Sequence, residues 1–80
     1  MRSLVCDAFG KNLRSARQFR GFSQEGLARQ AEIDRSYLGK VERGEVNITI
    51  ERIYQLAECL QCSPKDLLPD LHPAETIERN

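Results

Sequence analysis

The stretch that decides how this chain folds runs from Ser23 to Thr49 and reads SQEGLARQAEIDRSYLGKVERGEVNIT. Ser23 is a cap residue, and Leu27, Ala28 and Ala31 behind it recur at helical spacing as a small inward face. Asp34 opens a second short helix, RSYLGKVER, with Leu38 and Val41 directed inward and Arg35, Ser36, Gly39, Lys40 and Arg43 directed outward; Gly44 stops it. VNITI is read as loop plus cap rather than strand, because Gly44 precedes it and a helical stripe follows.

Outward from this stretch the same arithmetic continues. Val5, Phe9, Leu13 and Ala16 predict a first helix over about residues 4 to 20, stopped at Gly21, with Phe19 and Phe22 expected in the core. Thr49 caps a fourth helix whose stripe is Ile50, Ile53, Ala57 and Leu60, widened by Tyr54 and Leu56. SPKD announces a fifth, with Ser63 as cap, Pro64 at the first position and Asp66 in a capping-box place; Pro69 cuts it off. The expectation is an all-α, five-helix domain over residues 1–69, followed by a loosely ordered tail over 70–80.

Eighty residues with 30% charged side chains make one small domain with a thin core. No apolar run approaches the roughly 20 residues of a membrane span, and the N-terminus lacks a signal-peptide pattern, so the expected location is cytoplasmic, away from membranes. Three cysteines, Cys6, Cys59 and Cys62, fit reduced thiols better than a disulfide scaffold. The formal net charge is zero, yet it is a cancellation: residues 1–44 carry +4 and residues 45–80 carry −4. A basic half and an acidic half give the molecule a cationic side.

Two short helices joined by a tight turn, the second with a polar outer face, form a helix-turn-helix pattern over about residues 23–43. With Gln24 opening helix two, Leu27 and Ala28 within it, and Glu42-Arg43-Gly44 closing helix three, the segment resembles the XRE, or Cro/repressor-like, transcription regulators. The run DRSYLGKVERGEVNIT is most similar to the controller proteins of restriction-modification genes. The resemblance spans Phe9 to Leu68 and implies a lambda-repressor-like DNA-binding domain acting on double-stranded DNA without a cofactor.

What each residue would do on DNA follows from groove chemistry. A helix fits the major groove, where a guanidinium can take guanine O6 and N7 together, so Arg35 is the first candidate for base reading. Ser36 and Tyr37 stand beside it, and Lys40 lies one turn further on the same face. Gln24 matches the family position that meets a phosphate at a helix N-terminus, and Arg43 and Asn47 are candidates to hold the backbone across the groove. The resemblance implies that Arg17 pairs with Glu42 as scaffold.

Leu67, Leu68 and Leu71, with Tyr54, are the candidates for a two-fold interface, Leu67 being open to belonging wholly to the core instead, since the family usually dimerises to set two reading helices about 34 Å apart on a pseudo-palindromic operator. Repression or activation would then work by competing with or recruiting RNA polymerase. The family's turn usually has Gly where this chain has Glu32, which would strain a left-handed turn. Gly26 and Gly39 interrupt helices; at Gly39, close approach to DNA and simple tolerance are equally open readings. An enzyme finds little support, with one histidine, His72, and no phosphate loop. Cys59 and Cys62 form a lone CxxC, read as core residues ahead of a zinc or redox site, so no metal is expected. The alternative function is a protein-interaction module on the same fold, an antitoxin or coactivator.

Overall fold

The computed structural model describes residues 3–71, over which the chain forms helices and no strand. The tail expected over 70–80, His72 included, lies from residue 72 onward outside the described residues. The elements are α1 (Leu4–Phe19), α2 (Gln24–Ala31), α3 (Arg35–Glu42), α4 (Ile50–Leu60) and α5 (Pro64–Leu67). None is long and apolar enough to cross a membrane.

Side chains at the boundaries supply the partners that helix ends lack. Ser3 Oγ accepts the Cys6 N–H at 3.3 Å, Ser23 Oγ accepts the Gly26 N–H at 2.9 Å, and Thr49 Oγ1 accepts the Arg52 N–H at 3.2 Å. Asp34 holds the cap position of α3 with extended backbone but makes no capping bond. At α5 the Ser63 N–H donates to Asp66 Oδ2 at 3.1 Å. Gly21 and Gly44 follow α1 and α3 with φ of +79° and +76°.

Helix α1 lies against α3 and α5, α2 against α3 and α4, and α5 folds back onto α4. Between them Phe9, Leu13, Leu27, Ala31, Leu38, Val41, Leu56, Leu60 and Leu67 form the core. The α1–α3 contact is close because Gly10 has no side chain: a Cβ there would stand 2.5 Å from the Glu42 carbonyl oxygen and 2.6 Å from that of Val41. Neither atom can yield, since both are backbone. This seam sets how α3 sits on the rest of the molecule.

Five sequence readings need correction. Phe19, expected in the core, is 86% exposed, while Phe22 does pack against the core. Ile50, assigned to the inward stripe of α4, is 73% exposed, and Tyr54, assigned to widen that stripe, is 62% exposed; both lie on the flank of α4 that α5 leaves uncovered. Leu67, a candidate interface residue, has no exposed surface because it closes the core beneath α1 and α4. Gly39, read as facing outward, is buried, and a Cβ there would stand 3.2 Å from Arg43 Nη1 and 3.8 Å from Gln24 Oε1. Those two side chains fold across it, so its smallness serves the protein's own packing.

The strain expected at Glu32 is present. It ends α2 in the left-handed region at φ 59° and ψ 43°, a conformation costing a non-glycine residue on the order of 1 kcal/mol. Gln61 ends α4 the same way, at φ 54° and ψ 46°, and the sequence carries no sign of it.

Candidate nucleic-acid interface

The orientation of α3 rests on one buried carboxylate. Glu42 Oε2 accepts from Arg17 Nε at 2.6 Å, and its Oε1 accepts from both Arg17 Nη2 at 3.1 Å and Gln24 Nε2 at 2.9 Å. Arg17 Nη1 also donates to the Phe22 carbonyl oxygen at 2.9 Å. One charged cluster thereby ties the end of α1, the loop before α2, the first residue of α2 and the last residue of α3. Burial strips water from both charges, so removing one partner leaves the other unpaired in a low dielectric. Every buried side-chain polar atom among the described residues is satisfied.

On the outside of this clamp, Arg35 and Ser36 occupy the first two positions of α3 and are exposed, as is Lys40 one turn on. Arg43 is exposed at the C-terminal end, where its Nε donates to Glu45 Oε2 at 2.8 Å. That bond and the nearby negative charge raise its already high pKa, keeping it cationic. Asn47 is exposed in the loop that follows. Arg35, Ser36, Lys40 and Arg43 are therefore accessible along α3 and at its C-terminal end, and Asn47 in the loop beyond.

Tyr37 and Gln24 sit differently. The Tyr37 ring is half-buried against the core, with the Arg52 guanidinium 5.8 Å from its centroid. Gln24 is half-buried because its amide is spent on Glu42. Both partners are distant along the chain, and helical spacing marks neither. A glutamine opening a helix beside a buried Arg–Glu pair is the feature that would have hinted at the second.

A second exposed region, on α4 and α5, is largely apolar. A cavity of about 410 Å³ on the α4–α5 side is lined by Ile50, Ile53, Tyr54, Pro64 and Leu68, together with Ser63 and Lys65, and Leu68 is 48% exposed. Leu71 is half-buried just beyond it in the chain. The thiols of Cys59 and Cys62 are partly buried; burial first, then the charge of Glu58 on Cys59 and of Asp66 on Cys62, raises both pKa values and keeps the thiols protonated. No cluster of three or more metal-ligating side chains occurs among the described residues.

A cationic helix carried on the second arm of a helix-turn-helix and clamped from within defines a DNA-binding regulator class. The chain belongs to the helix-turn-helix family of the XRE type, whose family model matches residues 13–67. It is 36% identical over 61 residues to the control protein C.BamHI of Bacillus amyloliquefaciens, covering 75% of each chain. It superimposes on the restriction-modification controller protein C.AhdI of Aeromonas hydrophila with a TM-score of 0.76 and 43% identity, over 79% of this chain and 96% of that one. The biofilm regulator SinR, solved in complex with DNA, matches with a TM-score of 0.70 and 28% identity, over 74% of this chain and 95% of its own. The chain is thus a transcriptional regulator of the controller type within the XRE family.

Proposed function

We propose that the protein binds a pseudo-palindromic DNA operator as a homodimer, with α3 of each subunit in the major groove. The observation that carries this reading is the contrast across α3. Its last residue, Glu42, is locked in the buried cluster and Leu38 and Val41 in the core, while Arg35, Ser36 and Lys40 are exposed on the outside. A braced element with exposed cationic side chains suits a groove whose base edges must be met in register.

In this reading Arg35 takes guanine bidentately, Ser36 and Tyr37 contact neighbouring base edges, and Lys40 reaches a guanine or a phosphate. Gln24 serves at the phosphate through the N-terminus of α2, because its side-chain amide already bonds Glu42. Arg43 exchanges Glu45 for phosphate, and Asn47 adds a second backbone contact. Phosphate contacts fix position and base contacts fix sequence.

Dimerisation follows from the apolar side. Ile50, Tyr54 and Leu68 are exposed around the α4–α5 cavity, and with Leu71 they form a surface whose burial against a second copy would stabilise the pair. Bound across a promoter in the cytoplasm, such a dimer blocks or recruits RNA polymerase according to where the operator lies. Selection of bound duplexes from random DNA tests the reading. The expected product is a two-fold repeated motif with half-sites about one helical turn apart. Enrichment of no motif would contradict it.

A further inference from the structure

We propose that Arg52, on α4 and outside the helix-turn-helix, is a positioning residue that sets DNA sequence selectivity through Tyr37. The inference rests on the reading of α3 as the DNA-reading element. Its own support is a chain of contacts joining three helices.

Arg52 is fixed at both ends. Its backbone N–H is held by the Thr49 cap at 3.2 Å, and its Nη1 donates to Gln55 Oε1 at 3.2 Å. The Gln55 amide in turn donates to the carbonyl oxygen of Ala31, the last residue of α2. Between those anchors the guanidinium stands 5.8 Å from the centre of the Tyr37 ring, within the range at which a cation is attracted to an aromatic face. Tyr37 also packs against the hydrophobic core. Core contact and a tethered cation together hold the ring in place.

The contacts bridge the segment where α2 turns into α3, where Glu32 is held in the left-handed region. Ala31 marks one side of the turn and Tyr37, in the first turn of α3, marks the other. Arg52 thus couples the ring both to α4 and to the end of α2. A side chain already ordered before binding loses less freedom on contacting a base, and it is also less able to adapt to a wrong one. The guanidinium suits this task because one group both places a delocalised cation over the ring and donates to Gln55. A lysine keeps the charge but lacks the planar fork that spans from the ring to Gln55.

The rival role for Arg52 is direct phosphate contact. The two roles separate on two duplexes, one obtained by selection with the wild-type protein and one of random sequence. Dissociation constants are measured on both for wild type, Arg52→Lys, Arg52→Met, Tyr37→Ala and the Arg52→Met/Tyr37→Ala double variant, each first shown to melt cooperatively. Both Arg52 variants are expected to lower the selected-to-random preference by about 3- to 5-fold, the size of a lost cation–ring contact, with random-sequence affinity nearly unchanged. Within Tyr37→Ala the Arg52→Met change should have no further effect.

The Arg52 side-chain protons supply an independent readout. They should be shifted upfield by the ring current in the wild type and lose that shift in Tyr37→Ala. Unchanged preference in both Arg52 variants overturns the proposal, as does an undiminished effect in the Tyr37→Ala background. Equal loss on both duplexes with a shallower salt dependence assigns Arg52 to a phosphate instead. A wild-type protein that prefers no duplex brings down the DNA-reading proposal itself, and this one with it.

Discussion

The rim of α3 and the flank of α4–α5 are both exposed, yet the molecule supports them in opposite ways. Behind α3 lies a charged cluster in which Glu42 accepts three hydrogen bonds from Arg17 and Gln24. Behind Ile50, Tyr54 and Leu68 lies ordinary apolar core, including Leu56, Leu60 and Leu67. Directional bonds hold α3 at one angle, which reading a base edge requires. A hydrophobic face needs only the right area and shape, because burial energy has no strong direction. The difference teaches that orientation matters at one surface and coverage at the other.

The comparison breaks first at Glu42. Glu42→Ala leaves the Arg17 charge buried without its partner and should cost roughly 3 to 5 kcal/mol of folding stability, read by thermal or urea melting. A loss below about 1 kcal/mol would show that the cluster does not brace α3. Next, Arg35→Ala should weaken binding to a selected duplex by about 1 to 3 kcal/mol and relax preference at one base position, with the melt unchanged because the side chain is exposed. Equal loss on random DNA would assign Arg35 to the backbone.

On the apolar side, Ile50→Glu should raise the dimer dissociation constant at least about tenfold, or 1.4 kcal/mol, by sedimentation. The fold should survive, since a carboxylate at the first position of α4 suits the helix N-terminus. A smaller term lies in the turn that joins α2 to α3. Glu32→Gly relieves the left-handed strain and should raise stability by roughly 0.5 to 1 kcal/mol after the flexibility of glycine in the unfolded chain is counted. Smallest is the thiol chemistry: at pH 8, Cys59 and Cys62 should alkylate more slowly than a free cysteine, and the rate should climb only as pH rises past the ordinary thiol value of 9.0. The sign follows from thiol pKa values that are raised, so the reactive thiolate appears later.

Much of the fold could be read from short-range chemistry. Ser23, Asp34, Thr49 and Ser63 mark helix starts, Gly21 and Gly44 mark ends, and the core positions of α2 and α3 follow helical spacing. These are local rules, and they hold wherever no distant element competes. The readings that failed concern the edges of apolar stripes. Spacing alone does not tell whether Phe19 or Ile50 meets a neighbour, and for both the neighbouring helix passes elsewhere.

The site divides along the same line. Arg35, Ser36 and Lys40 lie on the exposed face that their spacing predicts. The Gln24 bond to Glu42, the Arg43 bond to Glu45 and the placing of the Arg52 cation over Tyr37 depend on where rotamers meet in three dimensions. Gly10 is the clearest case: a glycine weakens a helix taken alone, while in the fold its missing side chain lets the backbone of α3 approach α1. The Arg17–Glu42 pair was visible only through the family resemblance.

The central claim is that the outer face of α3 reads DNA while the α4–α5 flank joins subunits. Backbone amide signals of the isotopically labelled protein, followed as a selected duplex is added, test both halves at once. The largest shifts are predicted at Gln24, Arg35, Ser36, Tyr37 and Lys40, with Ile50, Tyr54 and Leu68 undisturbed at concentrations where the dimer is already formed. Shifts centred on Ile50, Tyr54 and Leu68 with α3 silent would contradict the account.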